Sequence, residues 1–283
     1  MLPRFSYVTA NSRQEALSLL SSLPAAAIVA GGTDLVVRMR NGERHSYLID
    51  VAGLSEIAGI TPEEGGRLRI GAAATHGQIA ADGTVRKACA GLALACSQVG
   101  SPQIRNMGTL GGNLVNASPA ADSLAPLLVH NAMLALEATG GARTESLERF
   151  ITGPYRTTIG KTELLCSVSV DRLEGYEEGY RRVAKRAAWA ISRLSCAWAL
   201  REEGGLIEDV RIAVGSCTPV PFRPSRAEDF LRGRRREGPV IAKAVEMVAD
   251  EIREKSGLRP SFAYKLPVVR DLLAEELGGR SCS

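Results

Sequence analysis

The 283-residue chain is poor in aromatic residues, which make up 5% of it, and it has only three histidines. It lacks any CxxC pair, and its six cysteines (Cys89, Cys96, Cys166, Cys196, Cys217 and Cys282) are scattered away from His45, His76 and His130. That pattern excludes the ligand spacing of a zinc or iron–sulfur site, so no metal site is expected in this chain. Dispersed cysteines in a chain this long read as small buried apolar residues of a reducing compartment, not as a disulfide framework. No window approaches the ~18 uninterrupted apolar residues of a membrane span, and MLPRFSYVTANS lacks the apolar stretch of a signal peptide. A cytoplasmic protein with no membrane partner is the expectation.

Several motifs are missing as well. There is no GxSxG, no GxxxxGK[ST] and no GxGxxG, which excludes an α/β-hydrolase nucleophile, a P-loop and a Rossmann dinucleotide fingerprint. His76 and His130 read as helix-face or helix-end residues, and no acid–base constellation names a catalytic residue. Net charge is +4, but no run of Lys and Arg is interleaved with aromatics, so nucleic acid is not an expected partner. The densest basic cluster, Arg232, Arg234, Arg235 and Arg236, reads as a solvated surface turn.

What is present is ordinary globular composition, 45% hydrophobic and 23% charged, over a length that suggests about two domains at ~150 residues each. Residues 4–8 predict a strand, and Ser12 with Glu15 predicts a capping box on a helix with Ala16, Leu17, Leu19 and Leu20 inward. A strand over 26–30, a helix over 34–42 and a strand over 47–51 complete a βαβαβ unit. Further strands are predicted at 66–75, 132–138 and 164–170, with Thr75 capping HGQIAADG, one helix through VRKACAGLALACSQVG, and another over 120–130. LEGYEEGY at 173–180 reads as a hinge. Strand-like RRVAKR, ISRLSCAWAL and VRIAVGSC follow, then helices at 239–255 and 263–277, the last with Leu266, Val269, Leu272, Leu273 and Leu277 inward. Met107, Trp189 and Trp198 are assigned to the core. The fold class is α+β.

Two stretches stand out. IVAGGTDL (28–35) and SPQIRNMGTLGGNLVNASPAADS (101–123) each combine a glycine pair with Thr and short polar residues between apolar flanks. Glycine takes positive φ and lets a ligand approach the backbone, so each reads as a loop offering N–H groups to an anion; two such loops suit two phosphates. Asp34 is read as a helix cap and Asp122 as either a cap or a partner of a sugar hydroxyl. Lys185 and Arg186 end a strand and would either stabilise an anionic ring or lie exposed.

AGGTDL, GSPQIRNMGTLGGNL and SPAADS together resemble the FAD-binding subunits of the molybdenum hydroxylases, the xanthine dehydrogenase and carbon monoxide dehydrogenase medium-chain type. FITGPYRTT with TELL, and YRRVAKR with ISRLSCAWAL, extend the resemblance over essentially the whole chain. It implies a two-subdomain FAD-binding domain of the vanillyl-alcohol oxidase type over residues 1–173, divided at 55/56, and a smaller C-terminal α+β domain over 178–283. It implies FAD held by Ile28, Val29, Ala30, Gly31, Gly32, Thr33, Asp34 and Leu35 and by Thr109, Leu110, Gly111, Gly112 and Asn113. Asn116 and Asp122 would reach hydroxyls and diphosphate, Leu165 (or Leu164) would cover the adenine or ring side, and Arg182 would stand near the flavin. Two departures touch the ring side: Ala190 stands where relatives carry an acid, before Ile191-Ser192, and Arg182 where they carry lysine.

The implied function is electron transfer within a multi-subunit dehydrogenase or hydroxylase, from a small iron–sulfur subunit through FAD to NAD or another acceptor. The substrate would be oxidised on a large molybdenum-cofactor subunit, with the whole arranged as a dimer of heterotrimers. A free-standing FAD-dependent oxidase or reductase is the alternative. A nucleotide- or RNA-binding module is a third reading.

Overall fold

A computed structural model describes residues 2–185, 191–257 and 259–279. Arg186, Trp189, Ala190 and Cys282 therefore lie outside the described residues. The first unit runs β1 (Ser6–Thr9), α1 (Arg13–Ser22), β2 (Ala26–Val29), α2 (Leu35–Arg40), β3 (Tyr47–Asp50), and its all-parallel sheet has the order β1-β3-β2. Ser12 Oγ accepts the Glu15 amide at 3.1 Å. The expected reciprocal bond shifts upstream, because the Glu15 carboxylate accepts from the amide and side chain of Asn11 at 2.8 and 3.0 Å.

The second unit is an antiparallel sheet with β4 (Ile60–Glu63), β5 (Arg67–Gly71), β6 (Met133–Ala138), β7 (Gly141–Ser146) and β10 (Leu164–Asp171) in the order β4-β5-β10-β6-β7. A short hairpin, β8 (Ile151–Gly153) and β9 (Arg156–Thr157), precedes β10. Its helices are α3 (His76–Ala81), α4 (Gly83–Ala88), α5 (Ala90–Ser97), α6 (Pro102–Met107), α7 (Leu110–Asn116), α8 (Leu124–Val129) and α9 (Leu147–Phe150). Thr75 forms a full capping box with Gln78. The single helix expected after residue 84 is broken at Cys89, whose φ −149° and ψ 54° are not helical, and Asp82 caps the first piece through the Thr84 and Val85 amides. The segment 101–123 is also not one loop. Its apolar residues build α6 and α7.

A third sheet, β11 (Glu177–Ala184), β12 (Ser192–Glu203) and β13 (Leu206–Gly215), carries α10 (Ser225–Leu231), α11 (Gly238–Ser256) and α12 (Phe262–Leu277) on one face. Its other face, through Tyr180, Ala197, Ala199 and Ala213, belongs to the same core as Leu92, Leu124 and Leu127. Accordingly α5 packs on β11, and α8 packs on β12 and β13. The hinge expected over 173–180 is thus corrected: 177–180 is strand and is anchored. His130, fully buried, has Nδ1 2.8 Å from the Asp171 carbonyl and Nε2 2.9 Å from the Glu178 carboxylate. Both are acceptors, so both ring nitrogens carry protons. Burial alone would lower its pKa, but the Cys89 sulfur and Glu178 outweigh it and raise the value to about 10.

The arginine cluster is corrected in part. Arg236, 12% exposed, binds Glu177 at 2.6 Å and the Glu276 carbonyl at 2.9 Å, while Arg232 reaches Asp209 and the Val210 carbonyl, both at 3.2 Å. These two cations tie α12, β11 and β13 together, whereas Arg234 and Arg235 are exposed, as a surface turn requires. Cys89, Cys96, Cys166, Cys196 and Cys217 are buried and unbridged, and Trp198, Leu266, Val269, Leu273 and Leu277 are core. Met107, in contrast, is 57% exposed. Among the described residues no helix is long and apolar enough to cross a membrane.

Candidate cofactor-binding site

The end of β2 and the start of α7 both line a cleft of about 310 Å³, within the ~300–1,000 Å³ common for cofactor sites. The two glycine segments form adjoining parts of its wall and are built differently. In the first, a Cβ on Gly31 would lie 1.9 Å from the Met107 carbonyl oxygen. Only glycine allows this loop to meet the end of α6. Gly32 has φ +66°, the left-handed region that disfavours other residues. The amides of Gly31, Gly32, Thr33 and Asp34 donate no hydrogen bond to a described residue, which leaves four donors available to an anion.

In the second segment the amides are engaged internally. Leu110 and Gly111 donate to the Ala74 and Ala72 carbonyls at 2.9 and 2.8 Å, and Asn113 to the Thr109 carbonyl at 3.0 Å. Thr109 N-caps α7 by accepting the Gly112 amide at 3.1 Å. Neither Gly111 nor Gly112 has positive φ, so the expectation of a left-handed loop here is corrected. Gly111 is needed because a Cβ would lie 2.7 Å from Ala72 Cβ and 2.8 Å from its oxygen.

The sequence matches the family described as "FAD binding domain in molybdopterin dehydrogenase" over residues 3–172, and "CO dehydrogenase flavoprotein C-terminal domain" over 179–277. The chain belongs to the FAD-binding subunits of the molybdenum hydroxylases. FAD is its cofactor, and it is an oxidoreductase subunit. This FAD subunit is 30% identical over 270 residues to the xanthine dehydrogenase FAD-binding subunit of Escherichia coli O157:H7, covering 94% of this chain and 92% of that one. It is 32% identical to the glyceraldehyde dehydrogenase medium chain of Sulfolobus acidocaldarius, covering 95% and 96%. Among solved structures, carbon monoxide dehydrogenase from Hydrogenophaga pseudoflava superposes with a TM-score of 0.90 at 27% identity, covering 98% and 97%.

The residues present fit FAD. Four undirected amides, glycines at the close approaches, and a buried His76 Nδ1 with no partner among the described residues all border one cleft. Of the residues named from sequence, Ile28, Val29, Ala30, Gly31, Gly32, Thr33, Asp34, Leu35, Thr109, Gly111, Gly112, Asn113, Asn116, Leu164 and Leu165 line it. Leu110, Asp122 and Arg182 are not part of its lining. Leu110, the first residue of α7, is fully buried. Asp122 accepts hydrogen bonds from the Tyr180 hydroxyl at 2.6 Å, the Ser192 hydroxyl at 2.5 Å and Arg182 Nη1 at 2.9 Å. This buried cluster joins the 118–123 turn to β11 and β12. Asp34 occupies the N-cap position of α2, but its exposed carboxylate makes no cap bond, so the capping role is corrected.

Sequence reasoning missed Arg38, Glu43, His45, His76, Lys161 and Glu163, all of which border the cleft. Arg38 Nη1 donates to Asn116 Oδ1, and its Nε lies 2.8 Å from Glu43, whose other oxygen is 2.8 Å from His45 Nε2. Burial would raise the Glu43 pKa, but His45 and Arg38 hold it low. Arg38 stands one helical turn after Asp34, and that i+4 spacing was a readable signal. Glu163, fixed by Arg143 at 2.6 Å and the Gly160 amide at 2.6 Å, had none, because its arginine comes from the distant β7.

Proposed function

We propose that this chain is the flavin-bearing member of a multi-subunit molybdenum-dependent dehydrogenase or hydroxylase. It would place FAD between the iron–sulfur clusters of a small partner and an acceptor such as NAD. A large partner would hold the molybdenum cofactor, in a dimer of heterotrimers. The observation that carries this reading is the cleft between the two glycine segments, set in a chain whose likeness to medium-chain relatives runs nearly end to end. Residues 1–173, a vanillyl-alcohol oxidase-type domain, would hold the dinucleotide, and residues 178–283 would form the smaller C-terminal α+β domain.

The flavin, when bound, supplies the two-electron chemistry. The chain's own part is positional: amides 31–34 orient the diphosphate, the Arg38–Asn116 pair braces the polar wall, and Leu164 and Leu165 exclude water from the apolar wall. No feature of the cleft favours the free-standing oxidase. The test is a flavin-bleaching assay on the FAD-loaded chain with candidate organic substrates, with and without the molybdenum and iron–sulfur partners. Bleaching only with the partners present supports the relay; rapid bleaching of the lone chain overturns it.

A further inference from the structure

His76 is the buried polar group of the cleft that the reading above leaves unused. It opens α3, is 2% exposed, borders the cleft, and keeps Nδ1 without a hydrogen-bond partner among the described residues. Burial and the nearby charge of Arg105 push its pKa down to about 4. At neutral pH the imidazole is therefore uncharged, with one N–H donor and one acceptor. A buried polar atom with no partner is unfavourable, and in native proteins it marks the place of a ligand or water.

Its neighbours define which part of a dinucleotide lies there. The His76 amide donates to the Gly108 carbonyl at 3.0 Å. A Cβ built on Gly108 would touch both His76 Cδ2 and Thr33 Oγ1 at 3.4 Å. The ring thus stands beside the loop whose amides 31–34 have no internal acceptor, between the two glycine segments. The cation on this side, Arg105, is held by the Val99 and Gly100 carbonyls at 3.1 and 3.2 Å. The carboxylates of Glu43 and Glu163 are already paired with Arg38, His45 and Arg143. A donor in a positive setting suits an anionic oxygen. Cδ2 and Nδ1 lie on opposite edges of the ring, and the terminal torsion of histidine is roughly two-fold, so a flip of about 180° exchanges them and puts Nδ1 on the side of Gly108 and Thr33.

We propose that the Nδ1–H of His76 donates a hydrogen bond to a diphosphate oxygen of the bound FAD. The inference rests on the cleft being the FAD site. The experiment uses the full chain freed of flavin, titrated with FAD, ADP and riboflavin. His76→Phe should weaken FAD and ADP by about 10- to 100-fold, as befits one charge-assisted bond, and leave riboflavin unchanged. His76→Asn, whose amide nitrogen can replace Nδ1, should restore FAD to within about threefold, whereas His76→Gln, which mimics Nε2, should not. Wild-type FAD affinity in His76→Phe, or an equal loss of riboflavin, overturns the proposal. If the Phe variant fails to fold, equal affinities of the Asn and Gln variants overturn it. Gly32→Val is run in parallel. If it keeps its FAD affinity, the cleft assignment falls and the proposal with it; if it loses FAD while His76→Phe does not, only the His76 contact falls.

Discussion

Residues 30–34 and 109–113, AGGTD and TLGGN, look like two copies of one device and are not. The first combines a left-handed Gly32, a backbone contact at Gly31 and amides 31–34 without internal acceptors. The second has helical glycines, a threonine cap and amides bonded to residues 72–74 or to Thr109. One segment presents donors, and the other holds the wall rigid behind them. A glycine pair can be required by conformation, by close approach, or by both, and only the φ values and the neighbouring atoms tell these cases apart.

Substitutions at four positions sharpen or break that contrast. Gly31→Ala should have the largest effect, because no flexible side chain can give way to a Cβ placed 1.9 Å from the Met107 oxygen. A loss of about 3 kcal/mol in urea unfolding is expected, together with loss of bound flavin. Full flavin content would show that the close approach is dispensable. Gly111→Ala forces a smaller overlap with Ala72 and should cost about 2 kcal/mol, while the folded fraction keeps its FAD. If FAD were lost at unchanged stability, the second segment would be a donor loop like the first.

Gly32→Ala has room, its nearest contact being 3.4 Å from Val36, but must hold φ +66°. It should lower stability by only about 1–2 kcal/mol and FAD affinity at least tenfold, with Gly32→Asn in between because Asn tolerates left-handed backbone. Equal losses of stability and affinity would remove the special role of this turn. Thr109→Val should have the smallest effect, about 1 kcal/mol from the lost cap on α7, with Thr109→Ser retaining wild-type stability in thermal melts. A larger loss of FAD than of stability would mean that the hydroxyl serves the ligand as well as the helix.

Much of the fold was legible because its signals are local. The capping box at Thr75, the inward stripe of α12 and the opening βαβαβ unit each follow from residues within one or two turns of each other. So did the glycine pairs as markers of the cleft wall, whereas Leu164 and Leu165, which also line it, were named only through the family resemblance. What stayed hidden depends on distant partners. Asp122 carries no mark that Tyr180 and Arg182, 58 and 60 residues on, will surround it. Strand β7, Gly-Ala-Arg-Thr-Glu-Ser, is an edge strand with no apolar alternation and was passed over. Met107 is apolar yet exposed, on a helix, α6, that buries none of its residues.

The third sheet has a further consequence for how such subunits can be inherited. Along β12, Leu194, Cys196, Trp198 and Leu200 enter the C-terminal core, while Ala197 and Ala199 between them enter the other. The Trp198 indole also lies over Gly179 on β11, where a Cβ would come within 2.3 Å of the ring. One strand therefore encodes two interiors in alternate letters. A one-residue insertion would exchange them and drive Trp198 and Leu200 against α8, where only alanine fits. Recombination between relatives is constrained in the same way: a C-terminal segment can be traded as a module only if the helix faces of α5 and α8 that read its alanine side travel with it.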